Sequence, residues 1–228
     1  MTARDIPVLD ASGAEVERLP FDPAWLGGRV RRALLRQMLV GYEANRRRGT
    51  HKTKERGELP YSRKKMWKQK GTGRARVGDR ATPLWRHGGV IFGPRPRSYR
   101  QILPRGMRRA ALRSALLSAF EAGALRVVQD AVLAFEAPRT KRASEVLRAL
   151  SLARGCLVAT DGLAPAVLKS FRNLRRCAVL RASDLNAWEV LRYPALLFPR
   201  SAWEGLVQRL RDVASKRGAA KKKEGAAA

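Results

Sequence analysis

The sequence predicts an α/β fold: a mostly parallel sheet with helices on both faces, and a long extended loop inserted between two helices. Two observations carry that prediction. Short apolar runs, CLVAT at 156–160, CAVL at 177–180 and ALLF at 195–198, alternate with helical stretches in the C-terminal half. Runs of four or five apolar residues separated by helices belong to strands covered on both faces. Between Gly49 and Gly106, nine of the 19 glycines and five of the 12 prolines interrupt any periodicity.

The elements follow in order. Residues 6–9 (IPVL) predict a short strand, Ser12-Gly13 a turn, and residues 14–19 its hairpin partner. Asp22-Pro23 is a helix-start signal, and Val30, Leu34, Leu35, Met38 and Tyr42 recur at helical spacing. The helix should end near Arg46-Arg47-Arg48, cations that suit a C-terminal dipole. Residues 107–120 (MRRAALRSALLSAF) place Leu112, Leu116 and Phe120 on one stripe, a core-facing helix stopped by Gly123. Strands are expected at Leu125–Val128 and Ala131–Phe135, then a helix at Thr140–Ala153. The strand at Cys156–Thr160 is followed by a helix at Pro165–Leu174 and a strand at Cys177–Leu180. A short helix at Ala187–Leu191, the strand Ala195–Phe198 and a helix at Ser201–Val213, capped by Ser201, complete the pattern. Trp188 and Trp203 are expected to pack inside this half. The expected division is 1–48 and 107–214 for the globular domain, 49–106 for the loop, and 215–228 for a disordered basic tail.

Charge narrows the function. The chain carries 48 Lys and Arg against 19 Asp and Glu, a net of +29. Residues 46–113 hold 22 of the bases and only three acids, Glu55, Glu58 and Asp79, a net of +19. The remaining 26 bases (48 − 22) and 16 acids (19 − 3) leave +10 over the other 160 residues. Such an excess repels itself in isolation and fits a polyanion, where each neutralised phosphate releases a counterion. A membrane partner is not expected, since no run approaches the ~18–20 apolar residues of a spanning helix. The first 17 residues contain no apolar signal region, and Asp5, Asp10, Glu15 and Glu17 argue against a transit peptide. Cys156 and Cys177 read as small buried apolar residues of a reducing compartment.

An enzymatic role finds no support. Gly71-Thr72-Gly73 lacks the spacing and the preceding strand of a dinucleotide loop, and no phosphate-binding G-x-x-x-x-G-K-[ST] occurs. His51 and His87, the only histidines, both lie in the loop, and two distant cysteines with them make no zinc motif. No cofactor or metal is expected.

The loop's composition suits passage through folded RNA. Arginine grips phosphate oxygens bidentately and lysine acts as a point charge. Glycine admits close backbone approach. Trp67, Trp85, Tyr61 and Phe92 can stack on unpaired bases or wedge into an RNA fold; the alternative for Trp67 and Trp85 is packing against their own loop. Free in solution such a segment should be disordered. Its 58 residues, out and back, reach at most about 95 Å at ~3.3 Å per residue. The RNA-binding candidates are Arg48, Lys52, Lys54, Arg56, Lys64, Lys65, Trp67, Lys68, Lys70, Gly71, Gly73, Arg74, Arg76, Arg80, Trp85, Arg86, Arg95 and Arg97.

Residues 47–99, RRGTHKTKERGELPYSRKKMWKQKGTGRARVGDRATPLWRHGGVIFGPRPRSY, resemble the extended loop of the bacterial-type large-subunit ribosomal protein four, the L-four family. The KQKGTGRAR stretch at 68–76 is the most specific part, and LPRGMRRAALRSALLSAF at 103–120 continues the likeness. Weaker matches follow at APRTK (137–141), CLVATDG (156–162) and FRNL (171–174). The sequence departs at Tyr61-Ser62-Arg63, where a glycine-containing turn is usual, and at Met66, where proline is common. The resemblance implies a globular α/β domain on the outside of the large subunit, bound to ribosomal RNA, and a loop that penetrates that RNA. It implies early action in subunit assembly and a cytoplasmic, ribosomal location. It also implies a tip at Lys68, Gln69, Lys70, Gly71, Thr72, Gly73 and Arg74 that faces the nascent-peptide exit tunnel. The implied partners are large-subunit ribosomal RNA, neighbouring large-subunit proteins and the nascent peptide, with the protein a monomer within the ribosome. The alternative is a free RNA-binding regulatory protein, for example a messenger RNA repressor.

Overall fold

The computed structural model describes residues 5–211 of the 228. By contact the chain divides in two: one unit takes in the described residues up to Tyr42 and again from Ile102, the other runs Glu43–Gln101.

The first unit is built on a six-stranded sheet. Its strands are β1 (Ile6–Leu9), β2 (Glu15–Leu19), β3 (Leu125–Val128), β4 (Leu157–Thr160), β5 (Ala178–Arg181) and β6 (Leu196–Pro199). Their spatial order is β2-β1-β3-β6-β4-β5. All pairings are parallel except β1 with β2, the hairpin turned at Gly13 (φ 84°). The helices are α1 (Arg32–Arg46), α2 (Arg105–Glu121), α3 (Thr140–Ala149), α4 (Pro165–Arg172), α5 (Ala187–Arg192) and α6, residues 200–211.

Strand periodicity sorts the core into two clusters, one on each face. Ile6, Val8, Leu125, Val127, Leu157, Ala159, Leu196 and Phe198 point to one side, where α1, α2, α5 and α6 cover them with Leu35, Met38, Leu116, Val190 and Trp203. Val128, Val158, Val179 and Leu197 point to the other, against α3 and α4 through Val146, Leu147, Val167 and Phe171. Phe198 is wholly buried, its ring edge-on to Trp203 at 5.3 Å. The Leu112 and Leu116 side chains are buried as the stripe predicted, and Phe120 packs on Phe21 at 4.9 Å. Trp188 is half-buried beneath the Arg192 guanidinium, 4.7 Å away.

Several local expectations are corrected. The helix signal at Asp22-Pro23 opens only a 3-10 turn, Pro23–Leu26, with the Asp22 carboxylate accepting from Ala24 N at 2.8 Å. Gly27 and Gly28, both left-handed (φ 97° and 68°), then break the chain before α1 begins. Residues 131–135 form no strand; Asp130–Leu133 is a 3-10 turn. Val132, Leu133 and Phe135 are indeed buried, but both sides of β3 are already occupied by β1 and β6. Helix α3 stops at Ala149 because Ser151 takes a left-handed φ of 60°. Ser201 lies inside α6 and does not cap it by itself: the Asp130 carboxylate accepts from Ser201 N (3.1 Å) and Ser201 Oγ (3.0 Å). The expected end of this helix at Val213 and the tail at 215–228 lie outside the described residues.

The cysteines stand side by side at the entries of β4 and β5, Cys156 buried and Cys177 only half-buried, both as free thiols. A hydrogen bond from the Cys156 thiol lowers Cys177 to about 6, while that bond and burial push Cys156 up.

Candidate nucleic-acid interface

The unit Glu43–Gln101 has one 3-10 turn, Arg56–Glu58, beyond the last residues of α1. It is held instead by bonds between two antiparallel arms. Asn45 makes a reciprocal pair with Gln101, its Nδ2 donating to Gln101 O at 3.1 Å and its Oδ1 accepting from Gln101 N at 2.6 Å. Arg97 N donates to Gly49 O (3.1 Å), Thr53 N to Pro94 O (3.2 Å) and Val90 N to Lys54 O (3.1 Å). Farther out, Met66 N donates to Gly78 O (3.0 Å) and Trp67 Nε1 to Ala75 O (3.0 Å). Every pair is centred within residues 71 to 74. The turn therefore falls at Gly71 (φ 85°) and Gly73 (φ 63°), where nothing lies within 4 Å of an added Cβ. Near the base the arms touch so closely that a Cβ on Gly49 would stand 2.1 Å from Arg97 O.

All fourteen Lys and Arg candidates are exposed. Two form ion pairs: Lys52 with Glu58 (2.5 Å) and Arg95 with Glu55. The Lys52 hydrogen bond holds Glu58 below its ordinary value. Lys65 donates to Gln69 Oε1 (2.6 Å) and Val77 O (3.2 Å). Arg74 lies over Trp67 (5.6 Å), Arg80 over Tyr61 (5.6 Å) and Arg97 over Tyr99 (4.4 Å). Arg48, Lys54, Arg56, Lys64, Lys68, Lys70, Arg76 and Arg86 make no side-chain hydrogen bond, ion pair or ring contact among the described residues. Between Glu43 and Gln101 there are 18 bases and four acids, so most of the cations have no carboxylate to pair with.

The aromatic candidates divide. Trp67 and Trp85 meet edge to face at 6.2 Å, a packing arrangement within the loop. Phe92 is 99% exposed and Leu84 88%. Both side chains are left open to solvent on a cationic loop. Two participants were missed by the sequence reading. Tyr99 is clasped between Arg47 (3.8 Å) and Arg97, and Arg63 donates to Gly57 O at 2.9 Å. A hydrogen bond from Arg97, then the charges of Arg97 and Arg47, hold the Tyr99 phenol below its usual range. Only the register of the arms brings residues 47, 97 and 99 together.

The comparisons with known proteins decide the family. The profile of the Ribosomal protein L4/L1 family matches residues 19–209. The chain belongs to the ribosomal protein L4/L1 family. Its relatives include proteins called large ribosomal subunit protein uL4. That of Carboxydothermus hydrogenoformans is 42% identical over 197 residues, 86% of this chain and 95% of the relative. That of Heliobacterium modesticaldum is 39% identical over 86% of this chain and 94% of its own. That of Dehalococcoides mccartyi (strain 195) is 39% identical over 87% and 93%. Membership of this structural family sets the enzymatic reading aside. Among the described residues no helix is long and apolar enough to cross a membrane, and no cluster of His, Cys, Asp or Glu is placed to hold a metal.

Proposed function

We propose that this chain is a structural constituent of the large ribosomal subunit, working in the cytoplasm as a single copy per ribosome. It binds large-subunit ribosomal RNA, acts early in subunit assembly, and contributes the tip Lys68–Arg74 to the wall of the nascent-peptide exit tunnel. Its partners are that RNA, neighbouring subunit proteins and the passing peptide; it needs no cofactor. The observation that carries this reading is the hairpin from Glu43 to Gln101, whose exposed cations are largely unpaired within it and whose Phe92 and Leu84 stand in water. Such a surface gains most when phosphates displace counterions and bases cover the apolar groups.

Family membership supports the ribosomal part of the proposal, and the narrow turn at Gly71 and Gly73 supports the tunnel part. A turn of two left-handed glycines presents little bulk, which suits a constricted passage. The experiment is sedimentation of a cell lysate through a sucrose gradient after a high-salt wash. The chain should travel with the large subunit. Release into the top fractions would remove the proposal in favour of a free RNA-binding regulator.

A further inference from the structure

The two cysteines lie far along the chain from the hairpin, in the sheet-bearing unit. Each follows a left-handed residue that turns the chain into its strand, Gly155 (φ 112°) before β4 and Arg176 (φ 57°) before β5. These two turns press together: a Cβ on Gly155 would stand 2.5 Å from Arg176 O. Ala178 N donates to Cys156 O (3.2 Å), so the ladder that pairs Leu157 with Ala178 also sets Cys156 beside Cys177. Neighbouring strands lie about 4.8 Å apart, inside the Cα separation of about 4.4–6.8 Å that a disulfide spans.

The two thiols differ in access and in state. Cys156 is sealed in the core with Val158, Val179 and Leu197. Cys177 is half-buried and opens into a cleft of about 910 Å³. Arg154, Arg176 and Arg192 line that cleft beside Leu191 and Tyr193, and none of the described residues that line it is acidic. Arg192 is steadied by the rings of Trp188 (4.7 Å) and Tyr193 (5.7 Å). The Cys177 sulfur accepts from the Cys156 thiol and from the Cys156 backbone N–H; these bonds, the thiol's first, outweigh burial and lower Cys177 to about 6. An attacking thiol whose pKa lies near the ambient pH exchanges with disulfides fastest.

We propose that Cys177 is a modification site for small anionic disulfides, and that Cys156 closes the product into an internal disulfide. The guanidinium groups of the cleft receive the carboxylates of the incoming molecule. The Cys177 thiolate attacks one sulfur of that disulfide, whose S–S bond breaks and releases one small thiolate. Cys177 has then lost its charge, and with it the bond that pushed Cys156 up. Cys156 gives its proton to the released thiolate and attacks the Cys177 sulfur. The mixed disulfide breaks and the second small thiolate leaves. In sum two protein sulfurs are oxidised to one disulfide, and the small disulfide is reduced to two thiols.

The test treats the full, folded chain with oxidised glutathione and follows it by peptide mass spectrometry. The parent chain should pass through a glutathione adduct on Cys177 and end as the Cys156–Cys177 disulfide, reversed by dithiothreitol. Cys156→Ser, whose hydroxyl still donates to Cys177, should stop at the adduct, and Cys177→Ser should acquire none. Cystamine, a cationic disulfide, should modify the parent chain more slowly than oxidised glutathione. R154A/R192A, at exposed positions, should slow oxidised glutathione by at least about fivefold without slowing cystamine. If the folded parent chain takes no adduct, and its cysteines react only in urea, the pair is core packing and the proposal is overturned. A lasting adduct with no internal disulfide would contradict the part given to Cys156. Equal rates for the two reagents in the parent chain would contradict the anionic preference, whether or not the arginine variant folds.

Discussion

Replacing Lys68, Lys70 and Arg76 by alanine removes three cations that make no side-chain hydrogen bond, ion pair or ring contact among the described residues. If each holds one phosphate, log affinity against log salt loses a slope of about 0.7 to 0.9 per residue, about 2.1 to 2.7 in all. Over a fourfold rise in salt, from about 50 to about 200 mM, the parent chain should then lose about 20- to 40-fold more affinity than the variant. The assay is a titration of fluorescent large-subunit ribosomal RNA at several salt concentrations. Thermal melting of the free protein should move by no more than about 2 °C, since no buried contact is lost. An unchanged slope would mean that these cations are merely solvated. A large fall in melting temperature would mean that they support the fold, contrary to their exposure.

Other outcomes follow from the same geometry. Phe198→Ala empties a wholly buried site against Trp203 and should cost about 3–5 kcal/mol in urea unfolding. Gly49→Ala forces a Cβ toward Arg97 O at a left-handed position; RNA affinity should fall while the melting temperature of the sheet-bearing unit holds. Asp130→Ala removes both bonds to Ser201 at the start of α6, an expected loss of about 1 kcal/mol by chemical denaturation. Cys177, lowered to about 6 by the Cys156 thiol, is mostly thiolate above that pH and protonated below it. Its alkylation by iodoacetamide should therefore reach half its limiting rate near pH 6, with Cys156 unreactive in the folded chain.

The parallel strands were legible because CLVAT, CAVL and ALLF are short apolar runs that alternate with helical stretches, the pattern of a sheet buried on both sides. The hairpin at Gly13 was legible from its turn residues. The position of β6 was not: its insertion between β3 and β4 depends on packing of both faces, which no local pattern encodes. The 3-10 turn at Asp130 was misread because an apolar run of five looks the same in a strand and in a buried turn. Its purpose, bonding Ser201 across 71 residues, is a tertiary fact. In the loop, charge, glycine and aromatic content were open to inspection, and the exposed cations follow from them. The clasp of Tyr99 by Arg47 and Arg97 needed the register of the arms.

Amide hydrogen exchange across residues 43–101, in the free protein and in the assembled large subunit, tests the account most directly. The arms are joined by a handful of hydrogen bonds and enclose little core, so the free chain should exchange these amides rapidly and the assembled one slowly. Equal, strong protection in both states would contradict it, because the hairpin would then owe its form to its own chain and not to RNA.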